Sequence, residues 1–296
     1  MMAEITASMV KTLREKTDAP MMECKKALSE AGGDISKAEE ILRVKLGSKA
    51  GKTSSRITAE GIVSVNVKDG KAAMVEINCE TDFVAKNDEF ISFSKKINEI
   101  ILDNESDSID QMMESKIDGS SVESYRKALI GKIGENISIR RAIFKKSNGS
   151  FYSYSHGNKI GVLVDISIPN ETLGKDIAMH IAAMKPKAIT SSDVDPKLIE
   201  VEKRVASEKA LEAGKTPEIM KKMVDGAVSK FLKEVSLYGQ VFVKSDDNKT
   251  TIEQLLKNNQ ASINSFTVFT VGEGLEKKSE NFAEEVAATT AAAKVH

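Results

Sequence analysis

Residues 61–80 read "GIVSVNVKDGKAAMVEINCE". Its first arm alternates side chains with a period of two residues, which places Val63, Val65 and Val67 on one face. That period is typical of a β-strand. The Asp-Gly pair at 69–70 favours a tight turn, after which a second apolar arm returns. The stretch therefore predicts a β-hairpin.

The loop after this hairpin carries a bulky apolar residue among polar ones. Residues 79–87 read "CETDFVAKN", and Phe83 lies past the predicted end of the second strand. Two roles fit the pattern: the ring folds back as a staple on the next helix, or it is exposed to fill a partner's pocket. The residues alone leave both roles open. The next helix is expected to begin at Asn87 or Asp88. Its apolar stripe comprises Phe90, Phe93, Ile97, Ile100 and Ile101.

A similar unit follows further along the chain. The stretch "FYSYSHGNKIGVLVDI" at 151–166 predicts a second hairpin, and "DIAMHIAAM" at 176–184 predicts the helix after it. Residues 195–238 hold two charged helical patterns around Gly-Lys-Thr at 214–216, which predict an antiparallel helical hairpin. Together these patterns predict an α+β fold with two similar core subdomains, each with a β-hairpin and a helix, and with the helical hairpin as an insertion.

The N-terminal region is different in character. Residues 5–47 contain three short helical patterns separated by Pro20 and by a Gly-Gly pair, which predict a small bundle of the kind that binds a partner. In "GSKAGKTSSR" at 47–56 the glycines enclose three residues instead of four and the segment follows a helical pattern, which argues against a phosphate-binding loop. We expect a flexible linker there. We also expect the acidic stretch at 98–124 to be a solvated connection.

Composition points away from several classes of function. The chain has 296 residues, 41% of them hydrophobic, and a formal net charge of −1, so no overall charge attracts nucleic acid. No apolar run reaches the roughly 18 residues of a membrane span and no secretory signal is visible, so we expect a cytoplasmic protein. Cys24, Cys79 and three scattered histidines predict neither a metal cluster nor a cofactor site. No catalytic motif occurs, and we expect no enzyme. We expect His180 to be packed on its helix, whereas His156 lies in a turn where a binding role fits.

Five stretches, in order along the chain, resemble the translation elongation factor Ts family. They are "LREKTDAPMMECKKALSEAGGD" at 13–34, "TDFVAKN" at 81–87, "HGNKIGVLVDI" at 156–166, "AMHIAAMKP" at 178–186 and "VGEGLEKKSENFAEEV" at 271–286. The chain departs modestly from the family at Asp18-Ala19-Pro20, where Gly-Ala-Gly is common, and at Lys159, where Arg is common. The resemblance implies a guanine-nucleotide exchange factor for the GTPase elongation factor Tu, without bond-making chemistry and without a cofactor.

The resemblance also implies roles for individual residues. Thr81, Asp82, Phe83 and Val84 would form a loop that dislocates the partner's magnesium ion, with the ring of Phe83 as a wedge. The implied binding set for elongation factor Tu comprises Arg14, Met21, Met22, Lys25, Asp82, Phe83 and His156.

The implied organisation comprises a ubiquitin-associated-like three-helix domain at 1–55, a core N-subdomain at 56–140, a core C-subdomain at 141–280 and a C-terminal module at 281–296. The helical hairpin at 195–238 would mediate a dimer or a two-to-two complex, or contact a partner. No transit peptide is recognisable, so we expect a bacterial cytoplasmic protein, and the balanced charge and the lack of a membrane span predict no direct contact with nucleic acid or membrane. A helical adaptor without exchange activity is the alternative that the residues leave open.

Overall fold

The structure, a computed structural model, describes residues 5–17, 19–214 and 216–275, with the backbone alone at 46, 48–50 and 52. The expected C-terminal module at 281–296 lies outside the described residues. Helices and antiparallel sheets both occur, which confirms the α+β character.

Three helices form the N-terminal region: α1 (Ala7–Thr17), α2 (Met21–Glu30) and α3 (Ile35–Thr53). Their apolar faces meet around fully buried side chains such as Leu13 and Leu28. Asp34 caps α3, because its carboxylate accepts a hydrogen bond from the backbone N–H of Lys37 at 3.0 Å.

The expected flexible linker at 47–56 is wrong, because α3 continues to Thr53. A glycine inside a helix costs only about 1 kcal/mol relative to alanine. The last part of α3 packs against the helix at Val122–Ile133, and Thr53 is buried. This packing offsets the cost of Gly47 and Gly51, which a pattern of local breakers does not register.

The first sheet and its covering helices occupy the next part of the chain. In order, the elements are β1 (Glu60–Lys68), β2 (Lys71–Cys79), α4 (Asp82–Ala85), α5 (Asp88–Asn104), α6 (Ile109–Glu114), β3 (Lys116–Ile117), β4 (Ser120–Ser121), α7 (Val122–Ile133) and β5 (Ser138–Lys146). The strand order is β1-β2-β5, and β3 pairs with β4 separately.

The predicted hairpin at 61–80 is confirmed. Lys68 pairs with Lys71 at its end, and Asp69 and Gly70 have φ of 50° and 71°. Both values lie in the left-handed region, as a two-residue hairpin turn with this strand twist requires. Asn87 caps α5, and the predicted stripe of that helix is buried at Phe90, Phe93, Ile97 and Ile101, whereas Ile100 is only partly buried.

The expectation of a solvated connection at 98–124 is also wrong. Met112, Ile117 and Val122 are buried in the core beneath the first sheet. The acidic residues between them face solvent, and the apolar residues that alternate with them point inward. The high charge density of this stretch therefore belongs to one face of packed elements.

The second sheet has its own covering helices. Its elements are β6 (Ser150–His156), β7 (Ile160–Ile166), α8 (Glu171–Met184), α9 (Pro196–Glu212), α10 (Pro217–Val235), α11 (Ile252–Asn258) and β8 (Ile263–Thr270). The strand order is β6-β7-β8, and α9 packs against α10 through a short connection, as an antiparallel helical hairpin. The predicted second hairpin is confirmed by the antiparallel pairing of β6 with β7.

The two sheets pack against each other through a small apolar cluster. Val63 and Met74 from the first sheet meet Phe151, Leu163 and Phe269 from the second. Strand β5, which the sequence reasoning missed, pairs with β2. The expected boundary between residues 140 and 141 falls inside β5, and we propose that the division lies at 147–149.

Candidate functional site

The loop after β2 presents one aromatic side chain to solvent. Thr81 caps the short helix α4, because its hydroxyl oxygen accepts a hydrogen bond from the backbone N–H of Val84 at 3.4 Å. Val84 and Ala85 are buried in the core of the first sheet, whereas Phe83 is 81% exposed. The interpretation of Phe83 as a hydrophobic staple is therefore wrong.

A carboxylate from a distant part of the chain anchors this loop. One oxygen of Glu135 accepts hydrogen bonds from the backbone N–H groups of Glu80 and Thr81, both at 3.0 Å. Its other oxygen accepts from the hydroxyl of Thr81 at 2.6 Å. The side chain of Glu80 in turn accepts from the backbone N–H of Asn136 at 2.6 Å. The loop that carries the exposed ring of Phe83 is therefore held by the Thr81 cap, by the buried Val84 and Ala85, and by hydrogen bonds to Glu135.

Asp82 places a negative charge next to the ring. Its carboxylate pairs with Lys86 one turn later, at 2.7 Å. The hydrogen bond from Lys86 lowers the pKa of Asp82, and the nearby charge of Lys159 acts in the same direction. The carboxylate is therefore ionised near neutral pH.

The turn between β6 and β7 lies beside this loop. Asp82 and Lys86 line a shallow surface pocket together with Gly157, Asn158 and Lys159 from the turn. The ammonium of Lys159 donates to the carboxylate of Glu60 at 2.6 Å and to the carbonyl of Gly61 at 3.1 Å. The backbone N–H of Val63 donates to the carbonyl of Asn158 at 2.8 Å. These contacts fix the turn against β1.

His156 is exposed at the start of this turn. Its ring stacks on that of Tyr154, with centroids 6.4 Å apart, and its Nδ1 lies 3.4 Å from the hydroxyl of Tyr154. The structure thus brings the turn that carries His156 next to the loop that carries Phe83. A binding role for His156 stays a prediction.

A second group of exposed residues lies on the N-terminal helices. Met21 and Met22, in the first turn of α2, are 57% and 61% exposed. Arg14 and Lys25 are also exposed, on α1 and α2. The hydrophobic cluster beneath these four side chains is separate from the one beneath Phe83. They form a distinct surface whose role in binding also stays a prediction.

His180 has the packed position that was predicted. It is fully buried, its Nδ1 accepts from the backbone N–H of Val243 at 3.2 Å, and its Nε2 lies 3.0 Å from Oε1 of Gln240. Since Nδ1 accepts, the proton lies on Nε2 and is donated to Gln240. Burial lowers the pKa of His180, so the ring is neutral and structural.

Both cysteines are free and buried. Burial raises the pKa of the Cys79 thiol to about 12, which leaves it protonated at neutral pH. In the described part of the chain, no cluster of His, Cys, Asp and Glu is arranged to hold a metal ion. Over those same residues, no helix combines the length and the apolar character of a membrane span.

Sequence reasoning missed Glu135, which anchors the loop, and did not assign Lys159 its contact with β1. Glu135 lies 54 residues from Thr81, and no local period or motif marks it. A charged residue just after a helix is ordinarily read as solvated, so only its contacts reveal its role.

A family model and several known proteins are similar to this chain. A family model described as Elongation factor TS matches residues 80–273. The protein named Elongation factor Ts from Burkholderia cenocepacia is 57% identical over 293 residues, which cover 99% of each chain. Proteins of the same name from Burkholderia vietnamiensis and Paraburkholderia phymatum are each 56% identical over 293 residues, again with 99% of each chain covered.

Proposed function

The chain belongs to the elongation factor Ts family, and on that premise we propose that it is the guanine-nucleotide exchange factor of the GTPase elongation factor Tu. It binds the GDP-bound GTPase, disturbs the magnesium and phosphate site, and releases GDP so that GTP can load. No bond is made or broken by the factor itself.

Linkage explains what such a factor must do. If it binds the nucleotide-free GTPase more tightly than the loaded form, it must weaken nucleotide affinity by the same factor. The magnesium ion bridges and neutralises the phosphates, so a displacement of that ion weakens nucleotide binding. A rigid wedge that is complementary only to the displaced state is sufficient.

The observation that carries the proposal is the presentation of Phe83. The side chain of Phe83 is 81% exposed, whereas a large apolar side chain is ordinarily buried. Here it projects from a capped turn whose backbone is held by Glu135, so little conformational entropy is lost when it inserts into a partner. Thr81, Asp82 and Val84 complete the proposed magnesium-dislocation loop around it.

Further contacts spread the binding over the molecule. We place Arg14, Met21, Met22 and Lys25 against the nucleotide-binding domain of the GTPase, and His156 against another of its domains. The exposed methionines support this assignment, because exposed apolar side chains are typical of partner surfaces. We further propose that the helices at 1–55 form a ubiquitin-associated-like domain.

The helical hairpin at 195–238 is proposed as a second interaction element. Leu198, Val201, Ile219 and Met223 are exposed on it, which fits either a dimer, and hence a two-to-two complex, or a contact with the partner. The three named relatives are bacterial, and we propose a bacterial cytoplasmic location for this chain as well.

Stopped-flow release of a fluorescent GDP from elongation factor Tu tests the function. The GTPase, preloaded with the fluorescent nucleotide, is mixed with excess unlabelled GDP and increasing concentrations of this protein. An accelerated rate that saturates supports the exchange factor. Binding without any change in the release rate would refute it and favour the helical adaptor.

A further inference from the structure

A fully buried carboxylate lies at the junction of the two sheets. Glu76, on the central strand β2, is 0% exposed. Its Oε1 accepts from Nη1 of Arg140 at 3.0 Å and from the backbone N–H of Gly272 at 2.8 Å, and its Oε2 accepts from Nε of Arg141 at 2.6 Å. A carboxylate in this position would be strongly destabilising unless it were paired in this way.

A β-bulge explains how two consecutive arginines reach one carboxylate. Neighbouring residues of a regular strand point to opposite faces of the sheet. Between β2 and β5, however, Glu76 pairs with Arg141 and Ile77 pairs with Ile139, which leaves Arg140 as the extra residue. The bulge brings both guanidinium groups to the same side, where a regular strand would bring one.

Arg140 and Arg141 also form hydrogen bonds at the end of β8 in the second sheet. Nη2 of Arg141 donates to the carbonyl of Thr270 at 3.1 Å and to the carboxylate of Glu273 at 3.0 Å. Arg140 donates to the backbone carbonyl of Glu273. The guanidinium of Arg141 also lies 4.2 Å from the ring centroid of Phe269. Glu76 is therefore the centre of a network that joins the two sheets.

The end of β8 also contacts the turn that carries His156. The backbone N–H of Val271 donates to the carbonyl of Lys159 at 2.9 Å. Gly272 has φ of 70°, and a Cβ atom at that position would lie 2.4 Å from the carbonyl oxygen of Ala59. Only glycine allows this approach between the end of the second sheet and the segment that leads into β1.

We propose that Glu76 is a positioning residue for nucleotide exchange: together with the contacts of Lys159 and Asn158 to β1, it sets the spacing between the Phe83 loop, which follows β2, and the turn carrying His156, which also contacts the end of β8. This inference rests on the proposed function. Two contact elements that are held at the correct spacing bind one partner together without a further loss of orientational freedom. If the spacing varies, the partner must select the competent arrangement, and exchange slows.

Two substitutions test the role of this network. Glu76→Gln keeps the shape of the side chain but removes the buried charge that Arg140 and Arg141 share, and it leaves Arg141 with only the more exposed carboxylate of Glu273. Arg141→Lys keeps the charge but loses the fork that joins β2 to β8. A matched control is Ile97→Val, which removes a methyl group from the fully buried core of the first subdomain without contact to the network.

The arrangement of the subdomains is measured by electron–electron distance spectroscopy. Nitroxide labels are attached at Ser92→Cys on α5 and Thr172→Cys on α8, both of which are exposed positions. The native Cys24 and Cys79 are buried and are not expected to react. We expect a shifted or broadened distance distribution in Glu76→Gln and Arg141→Lys, and an unchanged one in Ile97→Val.

Exchange is then measured with the same variants without labels. We expect the maximal acceleration of GDP release to fall about fivefold or more in Glu76→Gln and Arg141→Lys, but not in Ile97→Val. Unchanged distances in both network variants, or changed distances with unchanged release at saturating factor, would overturn the inference. If the unsubstituted protein did not accelerate release, the proposed function would fail, while the distances would still decide whether Glu76 sets the subdomain arrangement.

Discussion

Replacement of Phe83 by alanine separates the exchange activity from the stability of the fold. The ring is 81% exposed, so its removal leaves no cavity in the core. The backbone contacts of the loop, from Glu135 to Glu80 and Thr81, do not involve the ring. We therefore expect the free energy of unfolding of Phe83→Ala to stay within about 0.5 kcal/mol of the unsubstituted protein.

The effect on exchange follows from the area that the ring can still bury. Complete burial of a phenylalanine side chain contributes about 1.5 to 3 kcal/mol. Since 81% of the residue is exposed before binding, the ring has about 1.2 to 2.4 kcal/mol to contribute at a partner's surface. A tenfold change in rate corresponds to about 1.4 kcal/mol, so GDP release should slow about 8- to 60-fold.

The assay is the stopped-flow release of fluorescent GDP over a full titration of the factor. A wedge that engages only the displaced state lowers the maximal rate and leaves the half-saturating concentration nearly constant. Phe83→Leu should fall between the two proteins, because it keeps part of the apolar volume. Val243→Ala is the control, since Val243 is also an exposed apolar residue, at 48%.

Two results would refute this reasoning. An unchanged maximal rate for Phe83→Ala would remove the wedge role. A lower melting temperature by many degrees would show that the ring packs against the fold, contrary to its exposure.

Glu135→Gln should destabilise the protein by about 1 to 3 kcal/mol and speed hydrogen exchange of the loop amides; unchanged exchange would refute the anchor. Because the thiol pKa of Cys79 is about 12, about one thiol in ten thousand is ionised at pH 8, so a disulfide reagent should label it only after unfolding, and fast native labelling would contradict its burial. Burial lowers the pKa of His180 below its ordinary value of 6.5, so below that pH the unfolded chain binds more protons and stability falls as pH falls. The melting temperature of His180→Asn should therefore depend less on pH between 7 and 5 than that of the unsubstituted protein. An equal pH dependence in both proteins would exclude His180 as its origin. Met21→Ala with Met22→Ala should raise the half-saturating concentration of the factor in the release assay, with little change in melting temperature; unchanged half-saturation would remove these residues from the binding surface.

Local patterns predicted much of the fold correctly. The period of two in residues 61–80 and the Asp-Gly pair predicted the first hairpin, and the stripe of α5 predicted its buried face. These features depend on residues a few positions apart, so the sequence contains them directly. Strand β5, "SIRRAIFKK", was missed because its arginines and lysines obscure the alternation. The two arginines are tolerated because both pair with the buried carboxylate of Glu76 on the neighbouring strand β2.

The candidate site divides in the same way. The position of Phe83 just past a strand was visible in the sequence, whereas its exposure was not, because a staple and a wedge share one local pattern. The two interpretations differ only in what lies opposite the ring. Burial of Val84 and Ala85 in the core turns Phe83 outward, and that orientation comes from packing.

Residues that are close together along the chain were enough to predict the hairpins, most helices, the loop with its aromatic residue, and the family. The contacts that hold these parts together are visible only in the folded chain. Glu135 reaches Thr81 across 54 residues, and Glu76 reaches Gly272 across 196. Hydrophobic periods and turn residues are encoded by near neighbours, but a single charged side chain has no period. Its partner is defined when the chain packs and burial makes an unpaired charge costly.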